Sequence, residues 1–382
     1  MGPSSPATEA PSRRVAIVAG IRTPFIKAGK DLQKLGPLAL ARHCVLGLIE
    51  RHEIDPGSIQ ALVYGVTVRE PGRPNLAREI VLEGDLPKSI EAQTIASYCI
   101  TGLRTVTSVA EAIATGRIDM GIAGGVESLS RADPNTFRES TTGLSMGEHT
   151  EITRREWNIS RERQDELALA SHRNSISARA KLSAEIYPVN GVMQDSGPRP
   201  DTSLEALSAL EPVFDPEGTI TAGNASPVTD GASAVLLMSE DRARREGREP
   251  LAFIRAMEYG AIDPGDGLLM APSVVVPRLL KRSGLRLEQM DLVEIHEAFA
   301  AQVLANASAW EEGWKGDPTG PLDWTRVNVS GSSIALGHPW AATGGQILTS
   351  LANEMKRRGA GLGLVSVCAA GGLAGAMILE RT

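Results

Sequence analysis

Two of the three cysteines and two of the six histidines in this chain lie in sequence contexts that suit reactive side chains. Cys99 follows a run of small and polar residues and precedes residues 103–116, where apolar side chains recur at helical spacing. We therefore expect Cys99 at the start of a helix, where the helix dipole and unpaired backbone N–H groups lower a thiol pKa and can bind an oxyanion. Considered alone, a cysteine in such a place is more often buried and inert.

Three segments of the second half of the chain carry further groups. His296 comes directly after the apolar run at residues 292–295. His338 lies between a glycine and a proline, on a tight turn that suits a reactive imidazole better than a core histidine. Cys368 ends another apolar run and is followed by Ala-Ala-Gly-Gly, so a ligand can approach its thiol closely.

The composition excludes several classes of protein. With 42% hydrophobic and 22% charged residues among 382, the chain is typical of soluble globular proteins of two or three domains, or of one large duplicated domain. Its net charge of −7 argues against nucleic acid as a partner. There is no run of about 18 apolar residues, so we expect no integral membrane segment. Three cysteines make no disulfide framework, which favours a reducing, cytoplasmic location.

The order of the elements that must position these residues indicates an α/β fold. A helical pattern at residues 38–53 lies between apolar runs that read as buried strands, which favours a parallel sheet covered by helices. The predicted strands of the first half cover residues 15–20, 61–65, 118–125, 219–226 and 230–238. Residues 131–218 are polar and rich in Arg, Glu, Ser and Pro, with one helix predicted from 161 to about 181. We interpret them as an inserted segment.

A repeat relates the two parts of the chain. Residues 48–65 superpose on residues 279–296 without gaps, with Leu48 on Leu279 and Leu62 on Val293. We infer two similar α/β halves whose turns face one cleft. The predicted organisation is a disordered tail at 1–14, an N-terminal half at 15–130, the inserted segment at 131–218, a return to the first half at 219–250 and a C-terminal half at 251–382.

Five motifs occur in one order along the chain: Arg22-Thr-Pro-Phe, Gly124-Gly-Val-Glu-Ser, Thr221-Ala-Gly-Asn-Ala-Ser, His296-Glu-Ala-Phe and Gly337-His-Pro. With them the chain resembles the thiolase family (3-ketoacyl-CoA thiolases, acetyl-CoA acyltransferases) from residue 15 to residue 381. The His296-Glu-Ala-Phe and Cys368-Ala-Ala-Gly-Gly forms are most similar to the fatty-acid-oxidation branch. The resemblance implies duplicated βαβ halves in a five-layer αβαβα arrangement, with the inserted segment as a loop domain.

The resemblance also implies thiolytic cleavage of a 3-ketoacyl-CoA through an acyl-enzyme at Cys99. In this scheme His338 activates Cys99 to attack the ketone, and Cys368 protonates the departing acetyl-CoA enolate and later deprotonates CoA. A thiolate is a strong nucleophile, and a second thiol with a pKa near neutrality suits proton transfer at an α-carbon. His296 and His338 would polarise the thioester oxygen of the enolate, and the backbone N–H groups of Cys99 and Ala370 would form the other oxyanion hole.

Coenzyme A is the implied co-substrate, and neither a permanently bound cofactor nor a metal is expected. The resemblance suggests Arg199 near the nucleotide phosphates of CoA, with Ser226 and the backbone of Ala298 and Phe299 along the pantetheine arm. Arg199 fits a solvated surface arginine equally well. One departure bears on the acyl pocket, because Trp340 stands where the family often has a smaller side chain or phenylalanine.

Two other functions remain open at this point. A biosynthetic condensing acyltransferase, such as an acetoacetyl-CoA thiolase, would use the same fold because the chemistry is reversible. A non-catalytic CoA-binding or lipid-binding protein is less favoured, since it needs none of the four reactive side chains. The resemblance further implies a homodimer or a dimer of dimers, and it leaves open a hydratase/dehydrogenase partner subunit of a beta-oxidation complex.

Overall fold

The structure is a computed structural model that describes residues 13–132 and 137–381. Residues 1–12 of the predicted tail, residues 133–136 of the predicted inserted segment and the C-terminal residue 382 lie outside the described residues. The last two residues of the predicted tail contact the folded chain. The backbone N–H of Arg13 donates to the carbonyl oxygen of Ala114, and Arg14 forms ion pairs with Glu240 and Glu380.

The first part of the chain alternates strands and helices up to the inserted segment. Its elements are β1 (Val15–Arg22), β2 (Ile26–Lys27), α1 (Pro37–Arg51), β3 (Ala61–Gly65), α2 (Leu76–Glu83), β4 (Glu91–Ile95), α3 (Thr101–Ala114) and β5 (Met120–Ser128). The strands predicted at residues 15–20 and 61–65 and the helix at 38–53 are confirmed. The strand predicted at 118–125 is longer than expected and continues to Ser128.

The segment between β5 and the next strand is helical and irregular. It contains α4 (Met146–Glu156), α5 (Arg161–Ser177), α6 (Arg179–Glu185) and α7 (Leu204–Ser208), so the single helix predicted from 161 to 181 is interrupted at Ala178. The strand predicted at 219–226 is wrong. The Asn224 side chain accepts the backbone N–H of Thr221 and donates to the carbonyl oxygen of Thr219, which closes a turn in place of a strand ladder.

The chain then completes the sheet and the second half. These elements are β6 (Thr229–Ser239), α8 (Glu240–Arg245), β7 (Ala252–Ala261), α9 (Pro272–Ser283), β8 (Leu292–Ile295), α10 (Ala300–Glu312), α11 (Ser333–Leu336), α12 (Thr343–Arg358), β9 (Leu362–Ala369) and β10 (Leu373–Glu380). Helix α9 and strand β8 repeat α1 and β3. Strand β8 begins at the residue that the sequence repeat pairs with the first residue of β3.

The sheet is mixed, whereas the sequence favoured a parallel one. Its order is β4-β3-β5-β6-β1-β7-β10-β9-β8, with β2 beside β6. Strand β3 is parallel to β4 and β5, and β8 is parallel to β9. The remaining pairs are antiparallel. In the first half β6, which follows the inserted segment, lies between β1 and β5 and runs antiparallel to both, and in the second half β10 lies between β7 and β9 and runs antiparallel to both.

Helices cover the sheet in the five layers that were expected. Helices α1 and α2 pack on the outer face of the first half, and α9 and α10 pack on the outer face of the second. Between them, α3 and α12 share one apolar core with strands of both halves. The α/β fold with two similar halves is therefore confirmed. No helix within residues 13–132 and 137–381 is both long enough and apolar enough to cross a membrane.

Candidate active site

The turns that carry Cys99 and His338 lie next to each other, at the starts of the two central helices α3 and α12. Cys99 lies in a single 3-10 turn (Tyr98–Ile100) directly before α3, and His338 lies on the turn before α12. A Cβ atom added at Gly102, in the first turn of α3, would lie 2.7 Å from the carbonyl oxygen of Ala341. The two backbones can approach this closely only because Gly102 has no side chain, and the turns that precede the helices meet as a result.

Cys99 and His338 form a hydrogen-bonded pair. The Sγ atom of Cys99 lies 3.2 Å from Nε2 of His338, and Nδ1 of the same ring lies 2.7 Å from Oγ1 of Thr343. With Nδ1 as the donor to Thr343, Nε2 carries a lone pair and can accept the thiol proton. This is the geometry of a nucleophile and a general base that is oriented by a third group.

His296 lies beside this pair, directly after β8. Its ring centroid is 4.0 Å from that of His338, with the two planes tilted by 42°. Its Nδ1 lies 2.7 Å from Oγ of Ser333, whereas its buried Nε2 has no hydrogen-bond partner among the described residues. Because a buried unpaired nitrogen is costly, an oxygen atom of a ligand that reached Nε2 would relieve this cost.

Cys368 approaches the same place from β9. Only 1% of its surface is exposed, and the chain after it turns sharply through Gly371 and Gly372, whose φ angles of 74° and 69° favour glycine. The backbone N–H groups of Ala370 and of Cys99 itself both act to lower the pKa of the Cys99 thiol. These are the two N–H groups that were predicted to form an oxyanion hole.

Burial governs the protonation of the four reactive side chains. It raises the pKa of the Cys99 thiol to about 12 against the opposing effect of the Ala370 N–H, and it raises the pKa of Cys368 well above the ordinary thiol value. Burial also lowers the pKa of His296 to about 3 and the pKa of His338 well below its ordinary value. All four side chains are therefore uncharged near neutral pH.

This result corrects two expectations from the sequence. The lowered pKa expected for Cys99 is wrong, and so is the pKa near neutrality expected for Cys368. Cys99 precedes α3 by two residues and its thiol faces apolar walls, so desolvation outweighs the favourable N–H contacts.

An apolar cavity of about 240 Å³ contains both sulfur atoms in its walls. Most of the residues singled out from the sequence line it, namely Cys99, Ser226, Ala298, Phe299, His338, Cys368 and Ala370. His296 is not among the residues that line the cavity, but a nitrogen of its ring lies within 4.8 Å of the Cys99 sulfur. Arg199 is exposed outside the cavity, where its backbone N–H donates to Nδ1 of His172. Its role near the CoA phosphates stays a prediction.

A buried carboxyl group on β5, that of Glu127, contacts backbone segments near the site. Glu127 accepts the backbone N–H groups of Thr67 and Val68, and the backbone N–H of Ala341 also acts to lower its pKa. Burial nevertheless raises the pKa of Glu127 to about 8. Because Ala341 belongs to the turn that follows His338, Glu127 links this turn to the loop after β3.

A second buried carboxyl group follows His296 in the chain. Glu297 accepts the hydroxyl of Ser171 on α5, the side-chain amide of Asn328 and the backbone N–H of Ile334. Burial raises its pKa to about 7. Since Ile334 directly follows the serine that contacts His296, Glu297 fixes the surroundings of that histidine.

The site also contains a set of possible metal ligands. The ligand atoms of Cys99, His296 and His338 lie within 4.8 Å of one another, and thiolate and imidazole are ligands that zinc accepts. A metal ion held there would occupy the sulfur of the nucleophile. We therefore keep the prediction that the site works without a metal.

Sequence reasoning missed the residues that orient the reactive groups. Ser333 and Glu127 contact their partners only because separate segments fold together, whereas Thr343 follows His338 by five residues and contacts it across the turn before α12. Tyr98 was missed as well. Its φ of 49° lies in the left-handed region that residues other than glycine seldom adopt, and such strain is common at functional sites.

Comparison with known families and structures covers nearly the whole chain. The profile described as "Thiolase, N-terminal domain" matches residues 15–147 and 133–241, and the profile described as "Thiolase, C-terminal domain" matches residues 248–381. A 3-ketoacyl-CoA thiolase of Shewanella woodyi is 39% identical over 98% of this chain and 98% of its own length.

Solved structures give the same result. The acetyl-CoA acetyltransferase of Bacillus anthracis superposes with a TM-score of 0.89 at 31% sequence identity, covering 98% of this chain and 100% of that one. Human mitochondrial 3-ketoacyl-CoA thiolase in complex with CoA superposes with a TM-score of 0.88 at 31% identity, covering 97% and 98% of the two chains. The similarity therefore extends over both halves of the fold.

Proposed function

The chain belongs to the thiolase family of acyltransferases, and from this we propose that it cleaves 3-ketoacyl-CoA with CoA to yield acetyl-CoA and a shortened acyl-CoA. The observation that carries the proposal is the 3.2 Å contact between Cys99 Sγ and His338 Nε2 in an apolar cavity that Cys368 also lines. The 3-ketoacyl-CoA thiolase relatives support the choice of substrate.

The first step forms the acyl-enzyme. Cys99 is a neutral thiol before the reaction, so its proton moves to Nε2 of His338 as the sulfur attacks the ketone carbon of the substrate. The negative charge that develops on the ketone oxygen is bound by the N–H groups of Cys99 and Ala370, each contributing roughly 3 kcal/mol to lowering the barrier.

The bond between the ketone carbon and the α-carbon then breaks. The electron pair of this bond passes to the acetyl-CoA enolate, whose thioester oxygen is held by His296 and His338. For this role Nε2 of His296 must carry a hydrogen, and Ser333 supports that tautomer by donating its hydroxyl to Nδ1. Cys368 donates its thiol proton to the α-carbon, which completes acetyl-CoA.

The second step releases the shortened acyl group. Cys368 is a thiolate after its donation, and because burial gives this thiol a high pKa the thiolate is a strong base. It removes the proton of an incoming CoA thiol, whose sulfur attacks the thioester carbon on Cys99. The departing Cys99 sulfur recovers its proton from His338, and all four side chains return to their starting states.

Coenzyme A is the proposed co-substrate, with its pantetheine arm along Ser226, Ala298 and Phe299. The backbone N–H of Ser226 already donates to the carbonyl oxygen of Ala298, so these residues form one continuous surface in the cavity wall. Arg199 is the proposed contact of the CoA phosphates. The printed name of the relatives, 3-ketoacyl-CoA thiolase, supports a role in fatty acid metabolism. A place in beta-oxidation, a homodimer or dimer of dimers and a cytoplasmic location are parts of the same proposal.

A cleavage assay tests this function. Purified protein is mixed with CoA and with 3-ketoacyl-CoA substrates from acetoacetyl-CoA to 3-ketohexadecanoyl-CoA, and the loss of the ketoacyl-CoA enolate absorbance is followed. We expect cleavage by the native chain and none by Cys99→Ala. Absence of cleavage at every chain length, in protein that still binds CoA, would overturn the proposal.

A further inference from the structure

Two aromatic pairs line the cavity, and each belongs to a different part of the chain. Phe214 and Phe299 are in edge contact with ring centroids 5.9 Å apart, and Phe137 and Trp340 are in edge contact at 4.3 Å. All four residues contribute to the cavity wall. Phe214 and Phe299 therefore form one aromatic part of the cavity wall, and Phe137 and Trp340 form another.

The Phe214–Phe299 pair adjoins the surface proposed for pantetheine. Phe299 is one of the residues of that surface, and it forms a backbone bridge with Ala225, the neighbour of Ser226. A substrate that lies with its pantetheine arm here points its thioester toward the cysteines. Its acyl chain must then continue into the remaining part of the cavity.

The Phe137–Trp340 pair adjoins the reactive groups instead. Trp340 is two residues from His338 and begins the turn before α12, so its position is tied to the base that contacts Cys99. Cys99 and Trp340 line the same cavity, so an acyl group bound to Cys99 would extend toward this turn. The Phe137–Trp340 pair is thus the aromatic wall that the acyl chain meets.

The volume of the cavity limits the length of the acyl chain that can bind beside this wall. Its volume of about 240 Å³ is below the roughly 300–1,000 Å³ of common ligand pockets, and it must also hold the thioester and the end of pantetheine. Little space remains for a long acyl chain. A side chain as large as Trp at this position removes volume that a smaller residue would leave open.

We propose that the Phe137–Trp340 pair closes the acyl branch of the cavity and restricts the enzyme to short-chain 3-ketoacyl-CoA substrates. The inference rests on the proposed function and adds the class of acyl chain. Each methylene group that finds room in an apolar pocket contributes about fourfold to binding. Enlarging the branch therefore favours longer chains in a stepwise manner.

Substitutions at Trp340 test this limit. The values of kcat/KM for acetoacetyl-, 3-ketohexanoyl-, 3-ketooctanoyl- and 3-ketodecanoyl-CoA are measured for the native chain, Trp340→Phe and Trp340→Ala. We expect the native enzyme to prefer the two shortest substrates. The ratio of 3-ketodecanoyl-CoA to acetoacetyl-CoA should rise at least tenfold in Trp340→Ala and less in the conservative Trp340→Phe, which guards against a loss of folding. Phe214→Leu, in the other aromatic pair, should affect all lengths alike.

A second readout does not depend on turnover. N-alkyl iodoacetamides of increasing alkyl length are reacted with Cys99, and the rate of alkylation is followed by mass spectrometry with Cys99→Ala as the blank. Long reagents should react slowly with the native chain and several-fold faster with Trp340→Ala, relative to iodoacetamide itself.

The outcomes separate the two proposals. The length limit is overturned and the proposed function stands if the native chain cleaves substrates but prefers long chains. The same holds if Trp340→Ala changes neither the kcat/KM ratio of long to short substrates nor the relative alkylation rate of long reagents. If no substrate is cleaved while the alkylation profile shifts in Trp340→Ala, the limit on the cavity is supported and the proposed function is overturned.

Discussion

The first turns of α3 and α12 touch at two glycines: a Cβ atom built on Gly102 would lie 3.1 Å from the Cα atom of Gly344. The contact has no room for a methyl group, since a Cβ atom on Gly344 would in turn lie 2.6 Å from the backbone nitrogen of Leu103. Cys99 precedes one of these helices and His338 precedes the other. Their 3.2 Å contact therefore depends on how closely the two backbones approach.

Substitution of Gly102 by alanine tests this dependence. The added methyl group must push α3 away from α12, because the atoms that it meets are backbone atoms. We expect Gly102→Ala to lower kcat by about 100-fold, as displacements of reacting groups by an ångström do, and to lower the melting temperature. Gly316→Ala is the matched control because no atom of the described residues lies within 4 Å of a Cβ atom there. Equal activity in the two variants would contradict the account.

The hydrogen bond that Nδ1 of His338 donates to Thr343 should affect the reaction more than the fold. Thr343→Val keeps the shape of the side chain and removes the oxygen that lies 2.7 Å from Nδ1. A lost hydrogen bond of about 1 kcal/mol corresponds to a five- to tenfold fall in kcat/KM. Thr343→Ser keeps the hydroxyl and should retain most of the native kcat/KM. Activity in Thr343→Val equal to that of the native chain would show that Thr343 does not orient the imidazole.

Alkylation of Cys99 by iodoacetamide should depend steeply on pH. The thiolate is the reacting form, and burial raises the pKa of Cys99 to about 12. Well below that pKa the thiolate fraction rises tenfold with each pH unit, so the rate should keep rising from pH 6 to pH 10. A plateau that begins below pH 8 would mean that the thiol is ionised at neutrality, as in a preformed thiolate–imidazolium pair.

A buried ion pair attaches the inserted segment to the first strand. The Nη1 and Nη2 atoms of Arg22 donate to the carboxylate of Asp195, at 2.6 and 2.7 Å, and the backbone N–H of Phe25 donates to the same carboxylate. Asp195→Ala should lower the free energy of unfolding by about 3–5 kcal/mol in urea titrations, because it leaves a buried cation without a partner. The double variant Arg22→Leu/Asp195→Leu should lose less of its free energy of unfolding than Asp195→Ala does. A larger loss in the double variant would contradict this reasoning.

Local patterns in the sequence predicted the elements that carry the site. Cys99, His338 and Cys368 each adjoin a glycine or a helix start that limits the local backbone, and the structure brings all three into one cavity. The repeat of α1 and β3 in α9 and β8 could be predicted because apolar spacing alone specifies it. The wrong strand at 219–226 has a local cause, since the side chain of Asn224 replaces the backbone ladder.

Properties that depend on burial could not be predicted from local patterns. The pKa of Cys99 depends on the apolar cavity walls, which come from distant segments, and Thr343 and Ser333 contact the histidines only in the folded chain. The place of β6 between β1 and β5, antiparallel to both, depends on where the chain returns after the inserted segment.

The central claim is that Cys99 carries the acyl group during the reaction. The most direct measurement is mass spectrometry of the Cys99 peptide after rapid mixing with a 3-ketoacyl-CoA in the absence of free CoA, followed by acid quenching. We predict that the peptide gains the mass of the shortened acyl group, that added CoA removes it, and that Cys99→Ala gains nothing. Cleavage of the substrate without acylation of Cys99, or with the acyl group on another residue, would contradict the account.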